Sequence, residues 1–287
     1  MKKSTNSNSF VINVIIRIAN EDRDLNTEEY TKLFEEFVEA EISGKSSLEK
    51  ECIIMTKGKH QINQNNFFHG QFVEYTNIDR RKWFNLIKKD RDTEFTIPDY
   101  LKANSKINHY YFIPKIHRFC YNYTAKEKID PAHVENYFNS SLKKFFNANY
   151  NGRYYPEIHF EKEKETIQQI MEADEILKLN ISVSYSNNFD KEMLDFFDND
   201  MKNGNYDFVE INAQNKNKES LKIKNSKILS GAIQASISQG DVTARIKKDN
   251  KYKIINTADH PAKHKLGFSF AIENAKDIVQ YFINVFL

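Results

Sequence analysis

The sequence predicts an α+β protein built of mostly antiparallel sheets with covering helices, and three observations predict it. Segments rich in Val and Ile, or alternating apolar with polar residues, recur along the chain. Amphipathic segments with apolar residues three and four apart are interspersed among them, and Gly, Pro, Asn and Asp punctuate the joins. The two halves, residues 1–150 and 151–287, can each be drawn as a ferredoxin-like unit, a split β-α-β with added strands.

Phe10–Ile18 follows a polar tail and reads as a buried first strand. Thr27 is placed to cap a helix with Glu28 and Glu29 in its first turn, Tyr30, Leu33, Phe34, Phe37 and Val38 on its apolar face, and Gly44 as its stop. Glu51–Lys57 and Phe67–Thr76 form an antiparallel pair joined by Gly58–Asn66. Asp79–Ser105, with Arg80-Arg81-Lys82 ahead of Trp83 and Phe84, reads as a long irregular connection of the kind that often carries function. His109–Ile113 and Ile116–Tyr123 are strands bent at Pro114, and Asp130-Pro131 opens a helix to about Phe146.

In the second half, Ile158 and Phe160 mark a strand and Thr166–Ala173 a short helix. Leu177, Leu179, Ile181, Val183 and Tyr185 alternate strictly with polar residues, the clearest strand signal in the chain. A helix over Phe189–Lys202 capped by Gly204, a strand Tyr206–Ile211 and a helix Ser226–Ile237 stopped by Gly240 follow. Val242–Ile246 and Tyr252–Thr257 make a hairpin turning at Lys248-Asp249-Asn250, then Lys265–Ile272 is a strand and Ala275–Phe286 a helix.

Forty per cent hydrophobic residues, with 22 Phe and 15 Tyr, supply a conventional core and argue against a disordered chain. The polar first nine residues lack the apolar stretch of an export signal, so a cytoplasmic location is expected. The apolar runs at Phe10–Ile18 and Ile278–Leu287 fall short of the roughly 20 residues that span a bilayer, so no membrane is expected as a partner. Cys52 and Cys120 sit among apolar neighbours outside any metal-type spacing and read as buried free thiols.

Net charge is only +2, but it is unevenly spread: Glu157–Glu210 carries 14 acids against 5 lysines, and Gln214–Lys265 carries 12 Lys and Arg against 4 acids. The standard nucleotide-binding, nucleophile-elbow and zinc motifs are absent, so no cofactor and no metal are expected. His109, His117 and Lys115, with Arg118 and several Tyr, form the densest group of imidazoles and cations. They are candidates for proton transfer and charge stabilisation at a phosphodiester. Arg245, Lys247, Lys248, Lys251 and Lys253 on the second-half hairpin, followed by His260, Lys263, His264 and Lys265, are candidates to neutralise nucleic-acid phosphates. Arg153 and His159 match the spacing of a helical ribonuclease motif, but Tyr154-Tyr155-Pro156 between them leads into a strand. Asp190, Asp195, Asp198 and Asp200 read as a solvated helix face rather than magnesium ligands, and His60 with His69 lacks further zinc ligands.

The segments Lys178–Ser186, Gly240-Asp241-Val242 and Asn256–Pro261 resemble an uncharacterised bacterial family that accompanies phage-defence genes. The resemblance implies a defence role and brings no catalytic residues. A looser likeness is to double ferredoxin-like, metal-independent RNA-processing proteins of prokaryotic immunity, from which this chain departs by having only Leu266-Gly267-Phe268 where they carry a glycine-rich loop.

Three functions follow as expectations. The first is a nucleic-acid-binding component of a defence system. The second is a metal-independent endoribonuclease using a histidine, and the third is a non-enzymatic interaction subunit whose acidic region meets a protein partner or a second copy of the chain.

Overall fold

In β1 (Ser7–Ile18), Phe10, Ile12, Val14 and Ile16 face one core while Val11 faces another, so the strand is apolar on both sides and reads as a continuous run rather than an alternation. The structure, a computed structural model, describes residues 7–19, 23, 25–78, 83–92, 97–184, 201, 203–204, 208–217 and 219–287. The architecture is α+β, with all strand pairs antiparallel.

Helix α1 (Thr27–Glu39) starts one residue earlier than the sequence implies, because Asn26 rather than Thr27 caps it: its side chain accepts from the Glu28 and Glu29 N–H groups while Glu29 closes a capping box. Glu39 ends the helix ahead of Gly44, which lies instead in β2 (Gly44–Lys45). β3 (Lys50–Ile62) and β4 (Asn65–Thr76) are longer than expected, joined by a tight turn with Asn63 and Gln64 at positive φ. The expected irregular connection contains a small hairpin, β5 (Trp83–Asn85) and β6 (Asp90–Asp92), and β7 begins at Ala103 and runs to Ile113. After β8 (Arg118–Tyr123), helix α2 (Pro131–Tyr150) opens on Asp130-Pro131 as the sequence requires.

The eight-stranded sheet has the order β14-β1-β8-β7-β4-β3-β2, with β9 (Tyr154–Phe160) also on β1 and β14 spanning His264–Leu266. Asn8 and Ser9 pair with both β8 and β14, while Ile12 and Asn13 pair with both β8 and β9, so β14 and β9 lie end to end along one edge of β1. One face packs under α1 and α2. The other packs under α5 (Ala275–Phe286), whose Ile278, Val279 and Phe282 meet Val11, Tyr111 and Cys120.

The second core joins α3 (Lys164–Met171) and α4 (Lys227–Gln239) to a four-stranded sheet of order β11-β10-β12-β13. Its strands are β10 (Glu175–Ser184), β11 (Phe208–Gln214), β12 (Gly240–Lys248) and β13 (Lys251–Asn256). In the large sheet β8-α2-β9 is a split β-α-β with β1 between its strands, but β10 and β11 are adjacent and antiparallel, so two ferredoxin-like halves are not confirmed. The large sheet runs across the division at Asn151, since β9 and β14 return to β1, whereas the four-stranded sheet lies wholly beyond it. Of the strand expected over Lys265–Ile272, only Lys265 and Leu266 are in one, as the last two residues of β14. The helix expected over Phe189–Lys202 lies, Met201 excepted, outside the described residues.

Candidate nucleic-acid interface

The alternation of β10 and β12 turns Leu179, Ile181, Val242, Ala244 and Ile246 into the second core and leaves their neighbours on an outer face that no described helix covers. Register aligns Gln214, Lys178, Arg245 and Ile254 in one row across all four strands. In the next row Glu175, Lys247 and Tyr252 are opposed. The Tyr252 ring is 58% exposed, with the Arg245 guanidinium 5.8 Å and the Lys247 ammonium 5.7 Å from its centre. Lys247 also lies 2.7 Å from Glu175, whose hydrogen bond and charge raise the ammonium pKa. The face is polarised: Glu210 and Asp241 occupy the far end, beyond Asn212, Asn180 and Thr243.

The remaining predicted phosphate-binding residues are spread out. Lys248 and Lys251 oppose each other beside the Asp249-Asn250 turn, both turn residues having positive φ. Lys253 shares the parity of buried Ile255 and reaches Gln169 of α3 at 3.3 Å. His260 and Lys263 flank Glu163, at 4.0 and 3.6 Å. His264 belongs to β14 in the other sheet, and exposed Lys265 pairs there with Asn8. Arg245 and Lys247 therefore share one face, whereas the His260–Lys265 segment does not extend it. Lys178, Gln214 and Ile254 escaped the sequence reading because their place depends on cross-strand register.

His109, His117 and Lys115 are not brought into one site. His109 has the parity of Tyr111, toward the α5 face, and its ring faces His69 with centroids 5.8 Å apart. His117 lies over the Tyr30 ring of α1, on the opposite face of the sheet, at 3.9 Å. Burial, with help from Arg118 and Arg17, depresses the His117 pKa to about 3, so its imidazole is neutral at pH 7. Lys115 is exposed on the 3-10 turn between β7 and β8.

His159 is held neutral, its pKa lowered to about 3 by burial and the nearby Lys162 and Arg17, and it lies on a strand rather than a helix. His60 stacks on Phe67 at 5.2 Å. Among the described residues no three His, Cys, Asp or Glu side chains gather to hold a metal ion, and Asp190, Asp195, Asp198 and Asp200 fall outside them. Cys52 and Cys120 are free and buried on opposite faces of the large sheet. Among the described residues no helix is long and apolar enough to cross a membrane.

A family model described as "Domain of unknown function (DUF4747)" matches residues 9–284. Comparison with curated proteins gives no match.

Proposed function

Because the chain belongs to the DUF4747 family, a domain of unknown function, its role has to be read from its own surface, and we propose that of a nucleic-acid-binding component of a bacterial anti-phage defence system. One observation carries the binding part: the outer face of the small sheet bears Lys178, Arg245 and Lys247, the last two beside an exposed Tyr252 ring. Cations neutralise phosphates whatever the base sequence, and an open aromatic on a sheet offers a base a stacking partner. The defence part rests on the resemblance of Lys178–Ser186, Gly240–Val242 and Asn256–Pro261 noted above.

Fluorescence anisotropy with labelled single-stranded and duplex DNA and RNA at low salt tests the binding. Saturable binding that weakens as salt rises and is lost in an Arg245→Glu, Lys178→Glu variant supports it. No binding to any of these probes overturns it. Phage plating on cells expressing the chain, beside that variant, tests the defence role, and equal plaque numbers in the presence and absence of the chain would sink it.

The endoribonuclease reading has weaker support, since His109 and His117 lie on opposite faces. The interaction-subunit reading has one observation in its favour: Phe84, Leu86 and Ile87 of the β5–β6 hairpin are exposed, Ile87 to 93%. A Leu86→Ser, Ile87→Ser variant that changes the oligomeric state in light scattering would support it; an unchanged mass with no lost partner counts against it.

A further inference from the structure

A cleft of about 730 Å³ lies between α3, the end of α4 and α5, far larger than the space around one side chain and within the usual range for small-molecule sites. Its polar floor is Arg118, which is only 1% exposed. Arg118 Nη1 donates to Asn13 Oδ1 and, at 3.0 Å, to the Ile116 carbonyl, while Nε lies 2.8 Å from Glu161 Oε1. Glu161 Oε2 accepts in turn from Ser238 Oγ at 2.8 Å. Arg118 Nη2 is buried and has no hydrogen-bond partner among the described residues.

His264 lines the same cleft and repeats the pattern. Its ring packs against Tyr281, Phe282 and Phe286, and Nδ1 lies 3.4 Å from Tyr281 Oη. Burial depresses its pKa to about 4, with Lys164 adding to the effect, so the ring is neutral at pH 7. Its Nε2 is also buried and has no hydrogen-bond partner among the described residues. The Phe286 ring ties the two groups to one wall, 4.7 Å from the Arg118 guanidinium carbon and 5.8 Å from the His264 ring centre.

The guanidinium nitrogen of Arg118 is a donor at any working pH, and buried donors without an acceptor are rare in folded chains, so Nη2 calls for an oxygen acceptor. Charge narrows the class. Arg118, Lys164 and Lys263 in the lining are matched by Glu161, Glu163 and Glu165, and Lys162, which also lines the cleft, is engaged by Asp241 at 3.3 Å. Such a balance disfavours a dianion, while a carboxylate presents two acceptor oxygens with a single charge to a guanidinium edge. Ile167, Met171, Ala235 and Phe286 make the remaining wall apolar.

We infer that this cleft is a binding site for a small monocarboxylate with an apolar body, its carboxylate on Arg118 Nη2, with His264 on the same wall, and its body between α3, α4 and Phe286. The site is separate from the outer face of the small sheet, and its test does not depend on nucleic-acid binding.

Isothermal titration of the full chain at pH 7 with octanoate, octylammonium and inorganic phosphate decides it. Saturable octanoate binding is expected, with octylammonium and phosphate inert. Met171→Trp, which narrows the cleft without touching its buried charges, and Arg118→Lys each weaken octanoate by about tenfold or more, whereas Tyr252→Ala leaves it unchanged. Melting curves of the Met171→Trp protein confirm that it remains folded. Absence of saturable octanoate binding overturns the inference, as does equal binding of octylammonium, preferential binding of phosphate, or full octanoate affinity in folded Met171→Trp.

Discussion

The Arg118 guanidinium and the Glu161 carboxylate lie 2.8 Å apart with side chains 1% and 4% exposed, an ion pair withdrawn from water. Removing one member leaves the other buried and uncompensated. Arg118→Met is expected to cost about 3–5 kcal/mol, and adding Glu161→Leu to recover a substantial part of that loss. Urea unfolding of the two single variants and the double variant measures both. Equal destabilisation in all three would show that packing rather than charge sets the cost.

His117 rests on Tyr30 with ring centres 3.9 Å apart, and its backbone is left-handed with φ 55°. Its folded pKa, about 3, lies below the ordinary imidazole value of 6.5. A depressed pKa means that the group opposes unfolding least in acid: its contribution is intact above pH 6.5 and declines as pH falls through that value toward 3. Histidine NMR should show this ring silent through the neutral range and titrating only near pH 3. A midpoint near neutrality would return it to the list of proton carriers.

Glu74 is almost fully buried beside His133 at 2.6 Å, Lys50 at 3.3 Å and Lys106 at 3.7 Å. Burial by itself would raise its pKa, yet the hydrogen bond and charge of His133 with the charge of Lys50 bring it below the usual carboxylate value of 4.5. Its stabilisation is therefore complete above pH 4.5 and is lost as pH falls through the depressed folded value. Denaturant midpoints of the wild type should fall more steeply in acid than those of Glu74→Gln. Parallel curves would contradict the assignment.

On the outer face of the small sheet, Tyr252→Ala is expected to weaken single-strand binding by about 1–3 kcal/mol, the usual worth of one stacked base. Arg245→Gln should instead flatten the salt dependence, its logarithmic slope falling by about 1. Anisotropy titrations over a salt series separate the two effects. A Tyr252→Ala protein that binds like the wild type removes the ring from the interface.

Much of this architecture is legible locally. The β10 alternation, the Asp130-Pro131 opening of α2 and the Lys248–Asn250 turn all report the backbone of their own neighbourhood. Pairing over distance is not: no local signal assigns β9 and β14 to one edge of β1, and the apolar tip of β5–β6 lacks the inward alternation that marks a strand. For the interface, Arg245, Lys247 and Tyr252 follow from the hairpin alone. Lys253 could have been removed by parity with Ile255, while Lys178 and Gln214 needed the register of a third and fourth strand. Arg118 was visible only as one more cation near two histidines, because its partners Asn13 and Glu161 come from other strands and elements.

The pairing of Ser7–Ser9 with His264–Leu266 joins residues at least 255 positions apart. During synthesis, that stretch of β1 stays without this neighbour until the residues between them, some 255, have followed. Loop closure of this length is slow, and an open strand edge is a template for the wrong partner in the meantime. Translation speed and chaperone supply should therefore govern the yield of native protein more strongly than its final stability does.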